Sequence, residues 1–170
     1  MFVSDTLYLV EKSLKRQKNI KFLVCGLLII LAFVGIFYVP HLLEFSQALA
    51  LCLVLGTVIF VSLQLMRNAQ KLYYQEVYFW TWLLHKNKEN IVWVYYFKLE
   101  NMPFGVQFNQ QTTFFVHLSN RDCLSIRMSE KDILLLMKYM RQFLKNATFG
   151  YSAHKKQLYD ISPDLLRKEE

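Results

Sequence analysis

Hydrophobic and polar positions along this chain follow first a membrane-like pattern and then a globular one. Lys21–Val39 and Phe45–Met66 hold no Asp, Glu, Lys or Arg in their interiors. Each is long enough to cross a hydrocarbon core of ~30 Å as a helix, which takes about 20 residues. The spacer Pro40-His41-Leu42-Leu43-Glu44 leaves room only for a turn. The pair therefore predicts a transmembrane helical hairpin over 21–66, behind a basic N-terminal segment at 1–20. No breaker follows Met66, so the second helix is expected to continue through Arg67–Lys71 into a juxtamembrane aromatic segment, 67–88, containing Tyr73, Tyr74, Tyr78, Trp80 and Trp82. A belt of rings at headgroup depth accounts for the first of these. The later ones stand too far along an upright helix and are expected to pack on the domain that follows.

From Ile91 the period changes. Ile91–Phe97 is β-branched and aromatic at odd and even positions alike, which predicts a strand covered on both faces. Asn101–Gly105 reads as a turn, Val106–Phe108 and Thr112–Leu118 as strands, and Asn109–Gln111 as the turn between them. Ser119–Asp122 predicts a hairpin turn into Cys123–Met128, where Leu124, Ile126 and Met128 alternate with Ser125 and Arg127. Ser129-Glu130-Lys131-Asp132 is a capping signal for a helix whose apolar stripe is Ile133, Leu136, Met137, Met140, Phe143 and Leu144. A helical tail, 151–170, holds one short helix after Ser152 and a second start at Ser162-Pro163. The fold class expected is a membrane α-helical hairpin plus a small α+β domain at 89–150, with an antiparallel sheet of three to four strands capped by an amphipathic helix.

Charge placement orients this picture. The formal net charge is +7. Lys12, Lys15, Arg16, Lys18 and Lys21 precede the first span, Arg67 and Lys71 follow the second, and the spacer has neither Lys nor Arg. The positive-inside rule then predicts both termini in the cytoplasm and the short spacer outside. A cleaved signal peptide is the rival for the first run, but Tyr38-Val39-Pro40-His41 offers no small-residue cleavage pattern and a second span follows at once. Residues 1–20 have two readings. One is an amphipathic helix lying on an anionic leaflet, and the other is a frayed topology signal.

The order of elements resembles the small bacterial membrane proteins of the YcxB-like type, with two spans and a pleckstrin-homology-like cytoplasmic domain. The matching pieces are the Ile91-Val92-Trp93 strand, the hairpin over Phe114–Ile126, the helix after Ser129 and the ending Ala147–Ser152. The resemblance implies a non-enzymatic domain. It also implies more strands than this chain supplies, which points to completion of the sheet by a second copy.

Chemistry-bearing residues are sparse. His41, His85, His117 and His154 show no metal-ligand spacing, and Cys25, Cys52 and Cys123 form no disulfide framework. Cys123 has no His partner visible in sequence and reads as a structural thiol. No phosphate loop, dinucleotide fingerprint, nucleophile elbow or carboxylate pair stands out, so neither a catalytic residue nor a cofactor is expected. Ala48, Cys52 and Gly56 recur every fourth residue on the second span, a spacing that admits a close partner helix, either the first span or a second copy. Lys138, Arg141 and Lys145, with Lys155, Lys156 and Arg167, form a candidate face for a protein partner or anionic lipid. Nucleic acid is disfavoured because no binding motif accompanies the charge. The function expected is protein interaction or self-assembly at the membrane. The alternative is a membrane-resident immunity or defence protein that neutralises a membrane-targeting toxin.

Overall fold

The structure, a computed structural model, describes residues 2–38, 45–101 and 109–167. The spacer at 40–44, the turn over 102–105 and the strand expected at 106–108 lie outside them. Two long helices come first, α1 (Phe2–Tyr38) and α2 (Phe45–Lys86). A short 3-10 turn at Lys88–Asn90 leads into β1 (Ile91–Asn101), β2 (Asn109–Leu118) and β3 (Cys123–Met128). Then come α3 (Glu130–Phe143), β4 (Thr148–Phe149), α4 (Ala153–Ile161) and a 3-10 turn at Pro163–Leu166. The chain divides into two compact units, Leu14–Glu76 and Met1–Ser13 with Val77–Glu170.

In the helical unit both helices are long and apolar enough to cross a membrane, with best windows of mean hydropathy 2.8 and 2.4. Their polarity is inverted relative to a water-soluble pair. Leu23, Leu27, Leu31, Leu49, Leu53 and Phe60 are exposed, while the side chains buried within the apolar stretches and just beyond them are small: Cys25, Ala32, Ala48, Ser62 and Ala69. Small residues let backbones approach, as at Gly35, where an added methyl group would meet Leu55 Cδ1 at 2.8 Å. The α2 seam runs Ala48, Cys52, Leu55, Ile59, Ser62, Met66, Ala69 and Tyr73, in alternating steps of four and three, with every member buried or half-buried. That is the 3.5-residue period of a coiled-coil-like hairpin. At the other end of the seam the Lys18 ammonium lies 4.3 Å from the centre of the Tyr73 ring.

The second unit is a layered α+β domain around a four-stranded sheet of order β3-β2-β1-β4. The sheet is mixed, which corrects the all-antiparallel expectation. β1–β2 and β2–β3 are antiparallel, but β4 joins β1 in parallel through Trp93–Thr148 and Val94–Phe149. Asn109–Gln111 is not a turn: it opens β2 and pairs with Leu99–Asn101, so both strands outrun their apolar stretches. A bulge between Ile91 and Trp93 re-aims the start of β1. The core comprises Trp80, Leu83 and Leu84 of α2, the even-numbered sheet face (Val94, Phe114, Val116, Ile126 and Met128) and α3's Ile133, Leu136, Met137 and Met140.

Residues 2–13 correct both readings made of them. They are neither frayed nor free to lie on a leaflet, because Thr6, Leu9, Val10 and Ser13 are buried within this unit. Ser13 Oγ donates to the Arg127 carbonyl at 2.5 Å, on the outer edge of β3. Lys12 Nζ pairs at 3.0 Å with Asp132, the residue whose amide donates to the Ser129 cap of α3. One helical arm thus blunts a sheet edge and secures a helix start.

Candidate functional site

The odd-numbered face of the sheet is aromatic. Registry sets three rows across β1, β2 and β3: Trp93–His117–Cys123, Tyr95–Phe115–Ser125 and Phe97–Thr113–Arg127. The first row is roofed by the C-terminal tail, where Val92 and Trp93 cluster with Tyr159 and Leu166. Trp93 Nε1 donates to the Gly150 carbonyl at 2.9 Å, and Tyr159 Oη donates to the Leu118 carbonyl at 2.8 Å. Cover stops after that row. Burial falls along β1 from Trp93, which is inaccessible, to Phe97, which is 46% exposed. The strand is therefore covered on both faces only over its first half, which corrects the expectation for Ile91–Phe97.

The uncovered half forms a cavity of about 260 Å³ lined by Tyr95, Phe97, Thr113, Phe115, Tyr151 and Lys156. Its rings are mutually supported. Tyr95 and Phe115 stack at 5.1 Å, and Tyr151 stands 5.2 Å from Tyr95 and edge-on at 5.6 Å from Phe97. Such rings offer a large apolar surface with little side-chain entropy left to lose on binding.

Beside this groove lies a polar cluster hidden in the sequence. His117 Nε2 is 3.2 Å from Tyr95 Oη and 3.5 Å from Cys123 Sγ, so Cys123 does have a histidine neighbour. The pair is not primed as a nucleophile. Burial pushes the Cys123 thiol up and the His117 imidazole down, so both stay neutral near pH 7 instead of forming thiolate and imidazolium. Burial also pushes Tyr95 up, to about 12, which keeps its hydroxyl available as a hydrogen-bond donor. His117 Nδ1 is buried without a hydrogen-bond partner. Among the described residues no three His, Cys, Asp or Glu side chains converge where a metal ion could sit.

The other expected sites are dispersed over both units. Ala48 and Cys52 turn toward the α1–α2 seam, but Gly56 is exposed, with nothing within 4 Å of where an added methyl group would stand, and Leu55 takes its place. Lys138 and Arg141 are exposed on α3 with Leu134 and Leu135, and Lys145 is exposed in the turn that follows Phe143, not on the helix; the Arg141 guanidinium lies 5.5 Å over the Phe149 ring. Lys155 and Arg167 have other work. Lys155 Nζ donates to the Phe149 and Gly150 carbonyls, and Arg167 pairs with Asp164. The juxtamembrane rings sort by helix face and not by height: Trp80 is buried, Tyr73 half-buried, and Tyr74, Tyr78 and Trp82 exposed. His85 and His154 are exposed, and His41 lies outside the described residues.

The aromatic groove is not evident in the sequence because its members come from three separate segments. The available signal was parity: Trp93, Tyr95 and Phe97 align with Thr113, Phe115 and His117 once the β1–β2 register is known. The chain matches no family model, no curated protein and no solved structure.

Proposed function

We propose that this chain is a non-enzymatic integral inner-membrane protein whose α+β domain, pleckstrin-homology-like in layout, recruits a protein partner or a second copy at the cytoplasmic surface. The observation that carries the reading is the uncovered aromatic half of the sheet, a supported apolar surface on a domain joined to two spanning-length helices. Groups of this kind favour protein contact, because aromatic anchors in shallow pockets supply most of the binding energy at interfaces. The basic N-terminal charges, and the inclusion of residues 2–13 in the same unit as the domain, support cytoplasmic termini. The YcxB-like resemblance agrees with such a role. Lys138, Arg141 and Lys145 add a second contact surface, for acidic groups of the partner or for anionic lipid.

The experiment is purification of the full-length protein in mild detergent, with a light-scattering mass and mass spectrometry of what co-purifies. A stoichiometric partner or a defined homo-oligomer is expected. A lone monomer at every concentration tested would overturn the proposal.

A further inference from the structure

Helix α3 carries apolar residues on two sides, and the fold uses one of them. Ile133, Leu136, Met137 and Met140 are buried. On the outer side Leu134 and Leu135 are 52% and 44% exposed. Lys131 and Lys138 lie one heptad apart, so they line up along the helix with the two leucines between them. Arg141 follows one turn on, and all three cations are exposed. The carboxylates of this helix are engaged by other elements: Glu130 pairs with Lys98 at 3.3 Å and Asp132 with Lys12 at 3.0 Å. Among the described residues, Lys131, Lys138 and Arg141 form no ion pair. The Arg141 guanidinium rests over the Phe149 ring, a contact that holds it in place and leaves its N–H groups for a carboxylate.

Charge selects what covers this face. A second copy laid on it would set lysines against lysines. An anionic bilayer is recognised by a continuous apolar helix face or by roughly four to eight clustered cations. Here the continuous apolar face of α3 is spent on the core, and the outer cations are fewer and spaced apart. Leucines set between spaced cations match instead the seam of another helix, whose anchors recur at the same helical spacing. We infer that the outer face of α3 docks an acidic amphipathic helix of a partner protein. Apolar side chains of that helix cover Leu134 and Leu135, and its Asp or Glu residues pair with Lys131, Lys138 and Arg141. The leucines contribute affinity by leaving water, while the charges around them raise the on-rate and reject basic partners. The inference rests on the interaction role proposed above and names a surface and the chemistry of the partner.

The test sets the full-length protein, in nanodiscs of zwitterionic lipid, against a displayed library of helix-forming peptides. Enriched peptides are expected to be acidic and amphipathic, with Asp or Glu at heptad spacing and apolar residues between. Lys138→Glu should weaken them by about tenfold or more and admit a peptide with Lys in place of the acid. Leu134→Ser combined with Leu135→Ser should weaken them to a similar extent while leaving Trp fluorescence native, because both side chains are exposed. Lys156→Glu, a charge change at the aromatic groove, should leave binding as it was. Binding lost in K156E and kept in K138E, or the absence of an acidic motif, would overturn the inference. A probe on Leu135→Cys, in a Cys25/Cys52/Cys123→Ser background, should be shielded by the enriched peptide. Quenching of that probe by brominated lipid in anionic nanodiscs would overturn the inference by assigning the face to the bilayer. Disulfide-linked dimers of the same variant would overturn it by assigning the face to a second copy. A co-purifying partner that binds K138E and the double serine variant as well as the native protein would sink the α3 assignment and leave the interaction role standing.

Discussion

At His117 the two ring nitrogens meet unequal surroundings. Nε2 has Tyr95 and Cys123 within reach, while Nδ1 has nothing, and an unsatisfied buried polar atom costs about 1–3 kcal/mol. The groups facing the ring are Tyr95 on β1, Cys123 on β3, and Tyr159 and Asp160 on α4. Burial lowers its proton affinity below the ordinary value of 6.5, and Asp160 only partly offsets this. Between 6.5 and the lower folded value the unfolded chain binds a proton that the folded domain refuses. Stability contributed by the neutral ring is therefore present above that window and lost as pH falls through it. One proton sets a ceiling of about 1.4 kcal/mol per pH unit, reduced here by partial exposure. His117→Phe keeps the stacking and removes both the titration and the orphaned nitrogen. Its thermal midpoint is expected to fall less than that of the native domain between pH 7.5 and 5, measured by Trp fluorescence. Parallel curves for the two proteins would refute the assignment.

Elements were legible in sequence where one local signal decided them. Ser129 caps α3 as its spacing implies, its hydroxyl accepting the Asp132 amide at 3.2 Å, and the stripe from Ile133 to Met140 is buried. The Ser119–Asp122 hairpin likewise forms, with Arg121 at a φ of 69°. Phase and tertiary cover were not legible. Steps of four along a helix rotate by about 40° each, so Gly56 swings about 80° away from Ala48, whereas steps of seven drift back by only about 20°. Ala48, Leu55, Ser62 and Ala69 therefore hold the seam. β4, at two residues, is too short for any pattern, and its pairing is a product of the tail's path. The helix seam gives a paired prediction. Gly35→Leu must displace Leu55 and should destabilise the hairpin by about 1–3 kcal/mol, while Gly56→Leu meets open space and should leave it unchanged. Unfolding in detergent, followed by circular dichroism at 222 nm, reads both. Equal effects would mean that the 3.5-residue seam is wrong. A Gly56→Leu variant with native stability but altered mass would place a second copy on that face.

For the whole molecule, the decisive fact is that residues 2–13 and 77–167 share one compact unit. A unit held by a Ser13–Arg127 bond, a Lys12–Asp132 ion pair and a common core cannot straddle a bilayer, because each buried polar group would have to be re-satisfied in hydrocarbon. On the proposed membrane reading, both ends of the apolar pair then emerge on one side, as an even number of crossings requires. On the same proposed reading, the positive-inside rule puts that side in the cytoplasm, because the Lys and Arg cluster before Phe22 would face the potential and the translocation cost if exported. Reporter fusions at either terminus should therefore be active only as cytoplasmic reporters. A cysteine introduced in the spacer at position 42, in a Cys25/Cys52/Cys123→Ser background, should be labelled by a membrane-impermeant maleimide in intact cells. Opposite sides for the two termini would break the shared unit, and with it the proposal of a cytoplasmic interaction domain on a two-span membrane protein. Labelling of position 42 only after lysis would keep the unit and reverse the orientation, leaving the groove to meet partners outside the cell.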